Sequence, residues 1–214
     1  MKNPIKKLTA TITALILYMS IPVLAQTDKA AAILDAMSAK YKDMKTYQAD
    51  FTYSSEGGRD LKGEATVKGD KFRLKMAGQE IFNDGKTMAT YVKETNEVNL
   101  QDYDPAELGD LNPTQIFTAY KKNYKSKFLK ESKEGTQTYE TVELAPTSSY
   151  AKIAKVQIKV NKQDKSIKSW RILMSNGQQV TYTINSFQPN VNVADSYFAF
   201  NAKQYPGVEV VDLR

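Results

Sequence analysis

The sequence predicts a mainly β fold built on one large antiparallel sheet, and three observations carry that prediction. Short runs rich in β-formers recur along most of the chain, clusters with turn chemistry separate them, and within the runs apolar and polar residues alternate with period two. The stretch Gln79 to Leu100 shows all three. Asn83-Asp84-Gly85-Lys86 and Lys93-Glu94-Thr95-Asn96 are polar turn clusters, and around them lie Ile81-Phe82, Thr87 to Val92 and Glu97 to Leu100. These read as three consecutive strands of a meander.

Residues 1–25 read as a signal peptide that is removed. Lys2, Lys6 and Lys7 precede the almost wholly apolar run Leu8 to Leu24, and Val23-Leu24-Ala25 offers the groups a signal peptidase reads. An uncleaved anchor is the alternative reading of the same run. No cysteine follows Ala25, so lipidation there is excluded and an exported, soluble, periplasmic protein is expected. The remaining 189 residues, 26–214, suffice for a single domain with a sizeable core.

From Asp28, a potential cap, to about Lys45 the residues Ala30, Ile33, Leu34, Met37, Tyr41 and Met44 recur at helical spacing, opposite Lys29, Asp35, Lys42 and Asp43. Such a helix needs an apolar surface to lie on. Tyr47, Ala49, Phe51 and Tyr53 then alternate along a first strand. Leu61 to Lys68 and Lys71 to Met76 follow, joined by Gly69-Asp70, before the meander. After Gln101 an irregular acidic segment begins; it lacks the glycine and glutamate of a calcium loop. Asn112-Pro113 starts a short helix to about Tyr120, with Ile116, Phe117 and Tyr120 on one side. Strand-like runs resume at Tyr124 to Glu131, Thr136 to Leu144, Ile153 to Val160, Ser166 to Met174 and Gln178 to Ser186. That gives about eleven strands, and Pro206-Gly207 turns the tail toward a closing strand.

Composition narrows the function. The chain has no cysteine and no histidine, which excludes disulfides, Ser-His-Asp and Cys-His catalysis, and histidine-based metal sites. No metal or other cofactor is expected. The net charge of +6 falls to +3 without the three leader lysines and is dispersed, so no nucleic-acid partner is expected. An enzyme would need carboxylates such as Glu140 and Glu143, read here as sharing one face of a strand. An exposed acidic row is the default for such a pair.

A sheet of eleven strands either splits into a filled sandwich or curls around a hollow its own side chains cannot fill. Periodicity leaves both open. Asp84-Gly85-Lys86-Thr87 with Tyr91, Asn112-Pro113 with Ile116-Phe117, Phe198-Ala199-Phe200, Gly207 to Asp212 closing at Arg214, and Thr46 to Tyr53 after a first helix together resemble the LolA family. The match spans nearly the whole mature chain in order.

That resemblance implies an incomplete, unclosed antiparallel β-barrel of about eleven strands, with an apolar cavity covered by α-helices. It implies a monomeric periplasmic chaperone that carries acylated lipoproteins from the inner to the outer membrane. An inner-membrane ATP-binding-cassette lipoprotein-releasing transporter would load it, and an outer-membrane receptor would be a second partner. Carried over by position, Tyr47, Phe51 and Leu74 line the cavity, and Ile116 and Phe117 belong to the lid, with Met37 and Tyr41 of the first helix. Strand parity adds Met76, Met88, Met174 and Tyr182. An arginine that latches the lid in one branch falls on Gly69, and an aromatic common after the Asp-Gly-Lys-Thr run is Ala89. The alternatives are a carrier of another acylated lipid or fatty acid, a regulatory lipoprotein-sensing module of the same fold, and a membrane-anchored acceptor. The missing cysteine opposes the last.

Overall fold

The alternation along the chain becomes twelve strands hydrogen-bonded into one sheet. The computed structural model describes residues 23–108, 120–148 and 152–214. It begins with helix α1 (Val23–Lys42), followed by β1 (Thr46–Ser55), β2 (Leu61–Lys68), β3 (Lys71–Met76), β4 (Gln79–Asn83), β5 (Thr87–Val92) and β6 (Glu97–Asp102). Two short helical turns, α2 (Pro105–Leu108) and α3 (Tyr120–Asn123), lead to β7 (Tyr124–Glu134), β8 (Gln137–Pro146), β9 (Ile153–Asn161), β10 (Ile167–Met174) and β11 (Gln179–Pro189). Two 3-10 turns, Asp195–Phe198 and Ala202–Gln204, precede β12 (Glu209–Asp212).

The strand order is β12-β6-β5-β4-β3-β2-β1-β11-β10-β9-β8-β7. β1–β6 and β7–β11 are each a run of consecutive hairpins, and β1 and β11 join the two runs, from Tyr47 opposite Pro189 to Ser55 opposite Val180. The sheet is unclosed, because β12 and β7 stand at its two ends. The extra strand beyond the expected eleven is β12, which runs parallel to β6 from Glu209 beside Glu97 to Asp212 beside Leu100.

α1 starts five residues before the expected cap. Leu24, Ala25 and Gln26 are good helix formers, so the helix runs through Asp28 instead of starting there. Its buried stripe is the expected one: Ala30, Ile33, Leu34, Met37 and Tyr41 pack with Val142, Leu144, Ile158, Val160, Ile167 and Trp170 of the second half-sheet. Burying such a stripe stabilises a helix far more than propensity does.

A second cluster lies on the opposite face of β4–β6. Phe82, Ala89 and Val98 are covered there by Phe200, Tyr205 and Val208 of the C-terminal segment. Arg73 bridges this cover to the sheet, donating to Glu80 at 2.6 Å and lying 4.3 Å from the Phe82 ring centroid. The acidic segment after Gln101 is partly ordered by Asp104, whose carboxylate accepts from the Ala106 amide at 2.8 Å. The helix expected from Asn112 to about Tyr120 falls outside the described residues except for Tyr120, the first residue of α3.

Candidate functional site

Against the inner faces of β1–β3 and β8–β11 lies a cavity of about 200 Å³, with Tyr41 of α1 in its wall. Period-two geometry turns every second side chain of these strands inward. In β1 those are Tyr47, Ala49 and Phe51, exposed by 8%, 5% and 7%. Of the residues expected at the site, Tyr41, Tyr47, Phe51, Leu74, Met76 and Tyr182 stand in its wall. Ile116 and Phe117 lie outside the described residues.

Three expected residues stand away from the wall. Met37 is fully buried under α1 in the helix-on-sheet cluster. Met88 faces inward on β5 but packs against the Tyr47, Val67 and Phe72 cluster, two strands beyond β3, where the wall ends. Met174 is the last residue of β10; the register shift beside it places it opposite Ile153, which stands in the wall, but Met174 itself does not reach the cavity.

Alternation also missed residues the wall does contain. Phe187 and Ile184 both face in although an odd number of positions separates them. Ala49 pairs with Phe187 and Phe51 with Ile184, with a shift between Asp50 and Phe51, so the bulge at the β1–β11 join reverses the parity of β11. Trp170, the only tryptophan, was legible as an inward residue of β10. It is 9% exposed, and its indole Nε1 has no hydrogen-bond partner among the described residues.

Among the described residues, none in the wall is charged. Its tyrosines are held neutral: burial pushes the Tyr41, Tyr47 and Tyr182 hydroxyls up from the usual tyrosine value, and Tyr120 up to about 12. Aromatic packing orients them. Tyr47 stacks on Phe187 with centroids 5.3 Å apart, Tyr41 meets Phe187 edge-on at 5.4 Å, and Phe51 tilts against Tyr182 at 5.9 Å. The arrangement can shelter hydrocarbon.

The polar ties of α1 to the rest of the protein fall in its C-terminal half. The Tyr120 hydroxyl donates to the Leu34 carbonyl at 2.9 Å, with Asp35 Oδ1 at 3.2 Å. Lys40 donates to the Asp164 carbonyl and carboxylate at 2.9 and 3.1 Å, and Tyr41 accepts from the Ile167 amide at 2.9 Å. Gly69, where the family latch would sit, is a turn residue of the β2–β3 hairpin with φ +59°, a backbone that favours glycine.

The carboxylates weighed for catalysis do not meet. Glu140 and Glu143 are three positions apart in β8, hence on opposite faces, which corrects the reading that they share one. Glu140 is buried against Lys165 at 2.7 Å, and Glu143 accepts from Lys155 and Gln157. Among the described residues no group of three or more Asp and Glu side chains is placed to hold a metal ion.

The family model described as "Outer membrane lipoprotein carrier protein LolA" matches residues 42–201. Among solved structures, an uncharacterized conserved protein from Thermus thermophilus is similar at TM-score 0.58 and 13% identity, over 86% of this chain and 99% of that one. A putative outer membrane lipoprotein-sorting protein domain from Vibrio parahaemolyticus follows at 0.46 and 11%, over 80% and 97%. The Mycobacterium tuberculosis lipoprotein LppX gives 0.47 and 9%, over 77% and 99%. A search of curated sequences finds no significant match.

Proposed function

The chain belongs to the LolA family, and from that premise we propose that it is a periplasmic carrier whose cavity takes up the acyl chains of lipoproteins. The observation that carries the reading is the uncharged, apolar wall. Each methylene removed from water is worth ~0.8 kcal/mol, so a fourteen-methylene chain is worth ~11 kcal/mol, enough to forbid a bare crossing. The leader expected at residues 1–25 supports export. Among the described residues no helix is long and apolar enough to cross a membrane.

Loading by an inner-membrane ATP-binding-cassette transporter and delivery to an outer-membrane receptor belong to the same proposal. So does a monomeric carrier without catalytic activity of its own. A cavity of about 200 Å³ is below the ~300–1,000 Å³ usual for ligand pockets. The loaded state is therefore wider, and α1 with its few polar ties is the element that gives way.

The same small volume favours a second reading, a carrier of a single acyl chain such as a free fatty acid. Mass spectrometry of the protein isolated from the periplasm separates the two: bound lipoprotein supports the first, bound fatty acid the second. Leu74→Glu, which sets a charge in the wall, abolishes either cargo while leaving the melting transition in place. Recovery of empty protein in both wild type and variant would sink both readings.

A further inference from the structure

We propose that Gly63 is a specificity-determining position of this cavity: its missing side chain forms the recess in which the Phe51 ring lies, and so fixes the cross-section open to acyl chains. The inference rests on the acyl-carrier reading and adds a residue and a size rule to it.

Gly63 lies in the interior of β2, opposite Phe51 of β1 on one side and Met76 of β3 on the other. Its φ is not among the positive ones, so no turn or left-handed backbone requires a glycine there. Glycine inside a strand forfeits packing and marks a close approach. Here the approach is that of the ring. A Cβ on Gly63 would stand 2.3 Å from Phe51 Cζ, 2.6 Å from Cε2 and 2.9 Å from Cε1.

Carbon atoms rest at ~3.5–4.0 Å, so a methyl group would drive the ring tip back by more than ~1 Å. Its retreat is constrained. Phe51 is 7% exposed and its ring is tilted against Tyr182, which in turn meets Tyr53 edge-on at 5.3 Å. The open direction is the cavity, whose wall Phe51 already forms. In a hollow of about 200 Å³ a displaced aromatic ring takes space that a second hydrocarbon chain needs before it takes space that a first one needs.

The test compares wild type, Gly63→Ala, Phe51→Leu and the double variant, titrated with palmitate and with a dipalmitoylated cysteinyl peptide and read by Trp170 fluorescence. Gly63→Ala lowers affinity for the two-chain probe about tenfold more than for palmitate, the scale on which pockets discriminate by size. Adding Phe51→Leu restores the two-chain affinity, because the shorter side chain clears the new methyl. Unchanged selectivity in Gly63→Ala, or no rescue by Phe51→Leu, overturns the inference. A crystal structure of Gly63→Ala gives a readout independent of lipid: a ring pushed toward the cavity supports the rule, and an unmoved ring overturns it. Wild type that binds neither probe sinks the acyl-carrier reading, while the ring position still decides the role of Gly63 in shaping the hollow.

Discussion

Removing one hydroxyl from Tyr41 tests how α1 is fastened to the sheet. In Tyr41→Phe the ring keeps its edge contact with Phe187 and its place in the wall. The Ile167 amide, on a residue 5% exposed, loses the acceptor it has at 2.9 Å. A buried donor left without a partner costs about 1–3 kcal/mol, so the urea midpoint falls with an unchanged slope. Amide exchange at Ile167 should quicken by about tenfold for each 1.4 kcal/mol of that loss.

The pH dependence gives an independent check. Burial, together with the Asp164 charge, raises the Tyr41 pKa above the ordinary 10.0, against the opposing pull of the Ile167 amide. A raised folded-state value means stability that is fully present below pH 10 and is lost as pH climbs through the folded value. The gap between wild type and Tyr41→Phe therefore holds to about pH 10 and narrows above it. A loss under about 0.5 kcal/mol, with Ile167 exchange unchanged, would refute the assignment of this hydroxyl as a tie.

Other perturbations follow the same logic. Asn83 is fully buried, donates to the Asp70 carbonyl at 3.0 Å and accepts from the Gly85 amide at 2.9 Å; Asn83→Leu breaks both bonds between two neighbouring turns and costs about 2 kcal/mol or more in equilibrium unfolding. Asp195 is held at about 2, below its usual value, by hydrogen bonds and charge from Lys68 and Lys71. The stability it contributes is present above the unfolded carboxylate value and disappears as pH falls through about 2. Acid-unfolding curves of wild type and Asp195→Asn should thus differ near neutrality and merge at the acid end. Tyr120→Phe removes the tie to Leu34, so α1 amides exchange faster and acyl probes load faster, with little change in melting temperature.

Much of this architecture is written in local alternation. Met76 and Tyr182 were assigned to the wall by strand parity and Tyr47, Phe51 and Leu74 by the family resemblance, and all five stand there, because parity within a single strand decides facing. The apolar face of α1 was legible for the same reason at helical spacing. What alternation does not contain is an extra residue in a strand or a strand's partner. The bulge between β1 and β11 brings Ile184 and Phe187 to one face, and Met174 has the inward parity of Trp170 and Ile172 but ends its strand short of the cavity. Met88 has the right parity and stands too far along the sheet, since the place where curvature stops enclosing space is a property of all the strands together. The parallel seat of β12 on β6 follows a segment whose Phe200 and Tyr205 cover β4–β6, a long-range partner that alternation within Glu209–Asp212 does not encode.

The joint between β1 and β11 bears on how the molecule assembles. Apart from β12, each half-sheet is a chain of neighbours in sequence, so its hairpins can zip within microseconds. The seam unites segments near opposite ends of the polypeptide, and the entropy of closing so large a loop is lost before any seam contact compensates. Two ready-made half-shells waiting on one slow suture is the kinetic signature this topology imposes. The hollow, walled from both halves, exists only once that suture is sewn.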